Sequence, residues 1–93
     1  MKKEMVQIKR KIAVIGAVLD NPKDCQSQFN DIVSDFKGVV KGRMGIPFDA
    51  EGVSVISIIV YGTLDEINSL TGKLGNIKGV NIKTSFSKKT IEI

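Results

Sequence analysis

An α+β fold is predicted for this chain, with the ferredoxin-like order β-α-β-β-α-β: a four-stranded antiparallel sheet carrying two helices on one face. Three observations predict it. Residues 8–19 and 53–61 are rich in β-branched side chains and apolar on both parities, as strands in the middle of a sheet are. A strand–helix–strand pattern occurs twice in succession within the 93 residues. Right-handed crossovers then set the first and third strands side by side at the centre, where the two doubly apolar runs belong.

Each element has a local reason. Residues 1–7 read as a frayed, basic lead-in. In residues 8–19, Ile12, Val14 and Val18 take one side, and Ala13, Ile15, Ala17 and Leu19 the other. Gly16 inside this run marks a bulge or a close backbone approach. The D-N-P that follows starts a helix: Asp20 or Asn21 caps it, Pro22 fits its first turn, and Asp24 suits the positive end of its dipole. Cys25, Phe29, Ile32, Val33 and Phe36 share one helical face, and the helix ends near Gly38. Cys25 reads as a small core residue, with a reactive thiol as the sharper but weaker reading.

Residues 39–46 form the second strand, and residues 47–52 connect it to the third. There Ser54, Ile56, Ile58 and Val60 alternate with Val53, Val55, Ser57, Ile59 and Tyr61. Thr63 and Glu66 are spaced as a capping box, and Ile67, Leu70 and Leu74 mark the buried side of the second helix. Gly72 weakens that helix and permits tight packing; Gly75 or Asn76 ends it. In residues 78–86, the last strand, Val80, Ile82 and Phe86 alternate against Asn81, Lys83 and Ser85. Residues 88–93 extend that strand or fray. With no linker and no low-complexity tract, residues 1–93 make one domain.

Composition narrows the function classes. The sequence has no histidine and a single cysteine, Cys25, so zinc sites, His-based triads, His-ligated nickel and an internal disulfide are excluded within it. No metal or other cofactor is expected, and no catalytic residue stands out. A net charge of +4 permits an anionic partner without demanding one. Neither a run of roughly 20 apolar residues nor a signal core is present, so the expected location is the cytoplasm, with no membrane contact.

In the expected topology both helices cover one face of the sheet. The other face carries aliphatic side chains from the two inner strands and needs a cover. A domain of this size buries only about 60–65% of its unfolded surface, so that cover matters to it. A second copy of the chain is the expected cover, giving a homo-oligomer, dimer or tetramer, with an apolar centre and a polar rim. The interface set is Ala13, Ile15, Ala17, Val55 and Ile59 at the centre, with Arg43 and Lys83 at the rim.

Two motifs stand out: G-R-M-G-I-P at residues 42–47 and L-T-G-K-L-G at residues 70–75. Arg43 between glycines suits a carboxylate or a phosphate, against the plainer reading of an edge strand with bulges. Thr71 and Lys73 suit an anion or a neighbouring subunit, against a packing role for the motif; the P-loop ending is missing. The loops after the inner strands, Asp20–Asn21 and Gly62–Thr63, place helix amino termini where an anion could sit. The expected ligand residues are therefore Asp20, Asn21, Arg43, Thr63, Thr71 and Lys73. Lys9, Arg10 and Lys11 should lie beside Lys88 and Lys89; solvated termini explain this patch better than nucleic acid, since no aromatic stacking platform accompanies it.

Across residues 11–87, with those two motifs as its most specific marks, the sequence closely resembles the family of iron-only hydrogenase system regulators. The resemblance implies an ACT-like, ferredoxin-like fold, related in shape to the effector domain of nickel-responsive repressors. It also implies a small oligomeric regulator associated with hydrogenase maturation, with a small-molecule effector and a maturation protein as partners. The sequence departs from the nickel repressors in lacking histidines for nickel and a stretch for a DNA-binding ribbon or helix-turn-helix. The expected function is thus a non-enzymatic regulatory and oligomerisation module. The alternatives are a small acylphosphatase-like hydrolase and a nucleic-acid-binding adaptor. The hydrolase would need an arginine in the loop after the first strand, which reads V-L-D-N-P; the adaptor rests on net charge.

Overall fold

The computed structural model describes residues 8–92; the expected lead-in, residues 1–7, and residue 93 lie outside the described residues. The elements are β1 (Lys9–Asp20), α1 (Pro22–Asp35), β2 (Val40–Phe48), β3 (Val53–Gly62), α2 (Leu64–Gly75) and β4 (Val80–Glu92). The strands form a single sheet in the order β2-β3-β1-β4, and every neighbouring pair is antiparallel. The predicted class and strand order are therefore those observed. The strand over residues 78–86 continues to Glu92, because β1 reaches far enough to pair Arg10 with Ile91 and Lys9 with Glu92.

Alternation along the two central strands decides where the core sits. On β1, Ala13, Ile15, Ala17 and Leu19 are buried; on β3, Ser54, Ile56, Ile58 and Val60 are. These residues pair across the strands, Ile15 opposite Ile58 and Ala17 opposite Ile56, so they share one side of the sheet. Cys25, Phe29 and Val33 of α1 and Ile67, Leu70 and Leu74 of α2 close over them in one cluster. Each large side chain sealed in this way contributes roughly 1.5–3 kcal/mol. Ile32 and Phe36 pack at its margin.

The junctions are set by backbone geometry. Asn21 stands at the start of α1 with φ 58° and ψ 64°, and its side chain makes no capping bond. The helix is entered instead through main-chain bonds. Asp20 N–H donates to Gly79 O at 2.7 Å, Asn21 N–H to Gly52 O at 3.1 Å, and Asp24 N–H to Asn21 O at 2.9 Å. Asparagine tolerates the left-handed region better than other non-glycine residues, which suits it to this turn. Gly79 has φ +89°, and a Cβ there would lie 2.9 Å from the Asp20 carbonyl oxygen, so glycine is required. At α2 the predicted capping box is formed: Glu66 N–H donates to Thr63 Oγ1 at 3.1 Å, and Thr63 N–H donates to Glu66 Oε1 at 2.8 Å. Gly72, expected to permit tight packing, faces open space, with nothing within 4 Å of where a Cβ would stand.

Two irregularities matter for function. In β2 the register shifts between Val40 and Gly42, leaving Lys41 as an extra residue. In the β1–β4 pair it shifts between Lys11 and Ala13. Gly16, by contrast, sits in regular pairing, so of the two readings given for it the bulge does not apply; a Cβ there would stand 3.8 Å from the Lys83 carbonyl oxygen, an ordinary contact.

Candidate functional site

Two surfaces emerge, one on each side of the sheet. The open side carries the opposite parity from the core: Ile12, Val14 and Val18 of β1, and Val55 and Ile59 of β3, all large and exposed. Met44, Ile46 and Phe48 of β2 join them, opposite Ser57, Val55 and Val53. Met44 is the most exposed of all these residues at 66%. Gly16 and Ser57, paired across the two central strands, leave a low spot in the middle of the face. Along β4, Asn81, Lys83 and Ser85 pair with Val18, Gly16 and Val14, so that edge is polar.

This arrangement corrects part of the expected interface. Ala13, Ile15 and Ala17 are at most 4% exposed and lie beneath the helices, not on the open face. The expectation took the wrong parity of β1, and because side chains alternate with a period of two, that choice moves the whole set. Val55, Ile59 and Lys83 do stand on the open side. Arg43 does not: it pairs with Ile58, on the helix side. The extra residue at Lys41 is the cause, since one inserted residue exchanges the two faces of the strand beyond it. The same inversion brings Met44, Ile46 and Phe48 to the open face, so the β2 edge is apolar where a polar rim was expected.

The helix side has grooves at its margins. Arg43 lies against α1, where its Nη2 donates to Asn30 Oδ1 at 2.7 Å and its guanidinium sits 5.5 Å from the centre of the Phe29 ring. Below it a cavity of about 170 Å³ is lined by Pro22, Gln26, Arg43, Gly45, Pro47, Asp49, Ser54 and Ile56. A larger hollow of about 530 Å³ adjoins it, sharing Pro22, Gln26 and Asp49 and adding Asn21, Lys23, Asp24 and Gly52. The larger is walled by the start of α1 and the β2–β3 turn, the smaller by the start of α1, β2, β3 and Asp49 of that turn.

The six expected ligand residues do not converge on one site. Asp20 and Asn21 stand at the start of α1, where Asp20 Oδ2 accepts from Asn81 Nδ2 at 3.4 Å. Asn21 lines the larger hollow next to the Arg43 groove. Thr63 is committed to the capping box. Thr71 donates within its own helix to Asn68 O at 3.2 Å and faces a shallow depression between α2 and β4. Lys73 reaches the Phe36 ring at 5.5 Å, on the side of α2 toward α1. Ser54, Gln26 and Asp49 were missed as site residues. Ser54 carried a signal in the sequence, being the one polar residue in an otherwise aliphatic parity.

Cys25 is buried, with its Sγ 3.7 Å from Asn21 O. Burial pushes its thiol up from the ordinary value of 9.0, and the nearby Asp24 and Asp20 carboxylates push it further. That is the opposite of thiolate activation. At the far end of the sheet, Lys9, Arg10 and Lys11 run alongside Thr90, Ile91 and Glu92, and Lys11 Nζ donates to Thr90 Oγ1 at 2.9 Å. Among the described residues no group of three or more His, Cys, Asp or Glu is placed to hold a metal ion, and no helix is long and apolar enough to cross a membrane.

Comparison with known proteins supplies the relatives. Residues 11–84 match the model of the TM1266-like family, described as "Iron-only hydrogenase system regulator, putative". The structure is similar to that of the uncharacterized protein TM1266 from Thermotoga maritima, with a TM-score of 0.81 and 28% identity over 85% of this chain and 99% of that one. It is also similar to the ACT domain of GTP pyrophosphokinase from Chlorobium tepidum, with a TM-score of 0.70 and 18% identity over 82% of this chain and 99% of that one. A more distant likeness is to CPII from Thiomonas intermedia, a nitrogen regulatory PII-like protein, at a TM-score of 0.51 and 12% identity over 95% of this chain and 97% of that one. The last two show the fold alone. No curated protein matches the chain in sequence.

Proposed function

Because this chain belongs to the TM1266-like family of iron-only hydrogenase system regulators, we propose that it is a non-catalytic regulatory module that pairs with a second copy of itself through the open face of its sheet. One observation carries the pairing: eight large apolar side chains, Ile12, Val14, Val18, Met44, Ile46, Phe48, Val55 and Ile59, lie exposed on that single face. A continuous apolar patch of this kind is what interfaces cover and what isolated soluble domains avoid. The polar β4 edge limits it on one side, so the contact is centred on β2, β3 and β1. A two-fold arrangement uses the same patch twice and closes on itself.

The regulatory part of the reading rests on the family and on the likeness to an ACT domain and a PII-like signalling protein. A partner from the hydrogenase maturation apparatus and a small effector complete it. Light scattering across 1–100 μM protein tests the pairing; the expected mass is a multiple of the chain's, and a monomer at the upper limit overturns it. Deleting the gene in a host with an iron-only hydrogenase tests the regulation. Hydrogen evolution should change, and unaltered hydrogenase level and activity overturn the regulatory reading.

A further inference from the structure

The sheet ends in a ribbon that carries the chain's excess charge. β1 pairs with β3 only as far as Lys11, while Lys9 and Arg10 pair with β4 alone, so two antiparallel strands continue past the other two. Residues 9–11 and 87–92 hold five cations, Lys9, Arg10, Lys11, Lys88 and Lys89, against one acid, Glu92. Residues 12–86 hold seven cations against eight acids. The positive excess of the described residues therefore sits on the ribbon. Like charges held this close repel, and solvated tails would relieve that by separating. Here the strands stay paired out to Glu92.

The bulge in this ribbon adds to the display. Ala13 pairs with Phe86 and Lys11 with Thr90, so Ser87, Lys88 and Lys89 stand opposite Ile12 alone. A bond from Lys89 N–H to Ser87 Oγ at 3.1 Å closes the extra segment, and both lysines are exposed. Along β1, alternation gives Lys9 and Lys11 to one side of the ribbon and Arg10 to the other. Cations on both sides suit a cleft with anionic walls, whereas a flat anionic surface such as a membrane meets one side only. The major groove of B-form DNA, about 12 Å wide, admits a two-stranded β-ribbon between its phosphate backbones. A single strand would call for a run of stacking aromatics, and Phe86 is the one aromatic in residues 80–92. The ribbon is built from the ends of two core strands, so no separate stretch of sequence marks it.

We propose that this ribbon binds double-stranded DNA, entering the major groove with its five cations against the phosphates, which fix position without reading sequence. The proposal goes beyond the regulatory reading and does not rest on pairing. None of the five cations belongs to the apolar patch assigned to self-association, and one copy presents the whole ribbon. Loss of the dimer and loss of DNA binding are therefore separate results.

The test is fluorescence anisotropy of a labelled DNA duplex of roughly 20 base pairs and mixed sequence, titrated with the full chain at about 50 to 200 mM NaCl. With five phosphate contacts per bound chain, affinity should fall about 500-fold over that range, from a slope of about −0.9 per contact. Lys88→Gln with Lys89→Gln removes two contacts and should flatten the fall to about 40-fold. Both side chains are exposed, so the fold is expected to persist, and circular dichroism checks it. The charge-matched control, Lys37→Gln with Lys78→Gln, removes two exposed lysines elsewhere and should leave the slope unchanged. An RNA duplex of the same sequence, whose major groove is deep and narrow, and vesicles of phosphatidylserine and phosphatidylcholine should bind more weakly. The proposal is overturned by no binding at about 50 mM NaCl and 100 μM protein, or by an unchanged slope in the folded ribbon variant. Equal flattening in the control, or equal binding to RNA or vesicles, overturns it as well.

Discussion

Replacing Ile59 by glutamate places a charge at the centre of the surface assigned to self-association. Ile59 lies between Val14 of β1 and Gly42 of β2 and is 43% exposed in the single chain. Full burial of an isoleucine is worth roughly 1.5–3 kcal/mol, so covering its remaining surface contributes about 1 kcal/mol per copy. A carboxylate sealed there without a partner costs a further ~3 kcal/mol or more. Two-fold symmetry counts both effects twice, for about 8 kcal/mol in all. At 1.4 kcal/mol per tenfold, that raises the dimer dissociation constant by roughly six decades. The chain itself should stay folded, since the new side chain points away from the core and loses only about 1 kcal/mol of strand preference. Sedimentation equilibrium with circular dichroism on the same samples reads both quantities. A folded Ile59→Glu that retains the wild-type mass refutes the interface. Ile58→Glu, one residue away and fully buried, should fail to fold and so shows that parity, not position, governs the outcome.

Other outcomes follow from single contacts. Thr63→Ala removes the capping box and should cost about 1 kcal/mol, lowering Tm by about 4–8 °C in a domain of this size. Gly79→Ala forces a Cβ against the Asp20 carbonyl at positive φ and should destabilise by more than about 1 kcal/mol, whereas Gly72→Ala, facing open space, should stabilise by up to about 1 kcal/mol; paired thermal melts check both. The Cys25 thiol should react with a disulfide reagent far more slowly in the native than in the unfolded chain. Because its folded value lies above 9.0, the folded state holds this proton longer than the unfolded one. Its contribution to stability is complete below the unfolded value and declines as pH rises above it. Denaturation midpoints from pH 8 to 10.5 should show that decline, and Cys25→Ala should remove its share of it.

The sheet order, both helices and the capping box were legible because local signals agreed with topology. The doubly apolar runs at residues 8–19 and 53–61 could only be central, and the T-x-x-E spacing at Thr63 and Glu66 fixed the start of α2. Which parity of β1 faced the helices was not legible: both of its sides are aliphatic, so the pattern had no polar residue to break the tie. The glycines of V-V-K-G-R-M-G-I pointed to a bulged edge strand, and β2 is one; what stayed hidden is the position of the bulge at Lys41, because which residue is left over is a property of the pairing between two strands. From that one hidden shift followed the misplacement of Arg43 and the missed apolar edge at Met44, Ile46 and Phe48. The groove was half legible: Arg43 was singled out by its glycine flanks, but its companions Gln26, Asp49 and Ser54 come from three other segments that the fold brings together.

The inserted residue in β2 also binds the two sides of the molecule into one mechanical element. Beyond Lys41, odd-numbered positions look into the α1 groove and even-numbered ones look outward, along a ribbon a single backbone thick. A slide of that ribbon toward one side withdraws it from the other. Any molecule that tightened the groove around Arg43 and Gly45 would tug on Met44 and Ile46 through covalent bonds, with no relay of side chains between them.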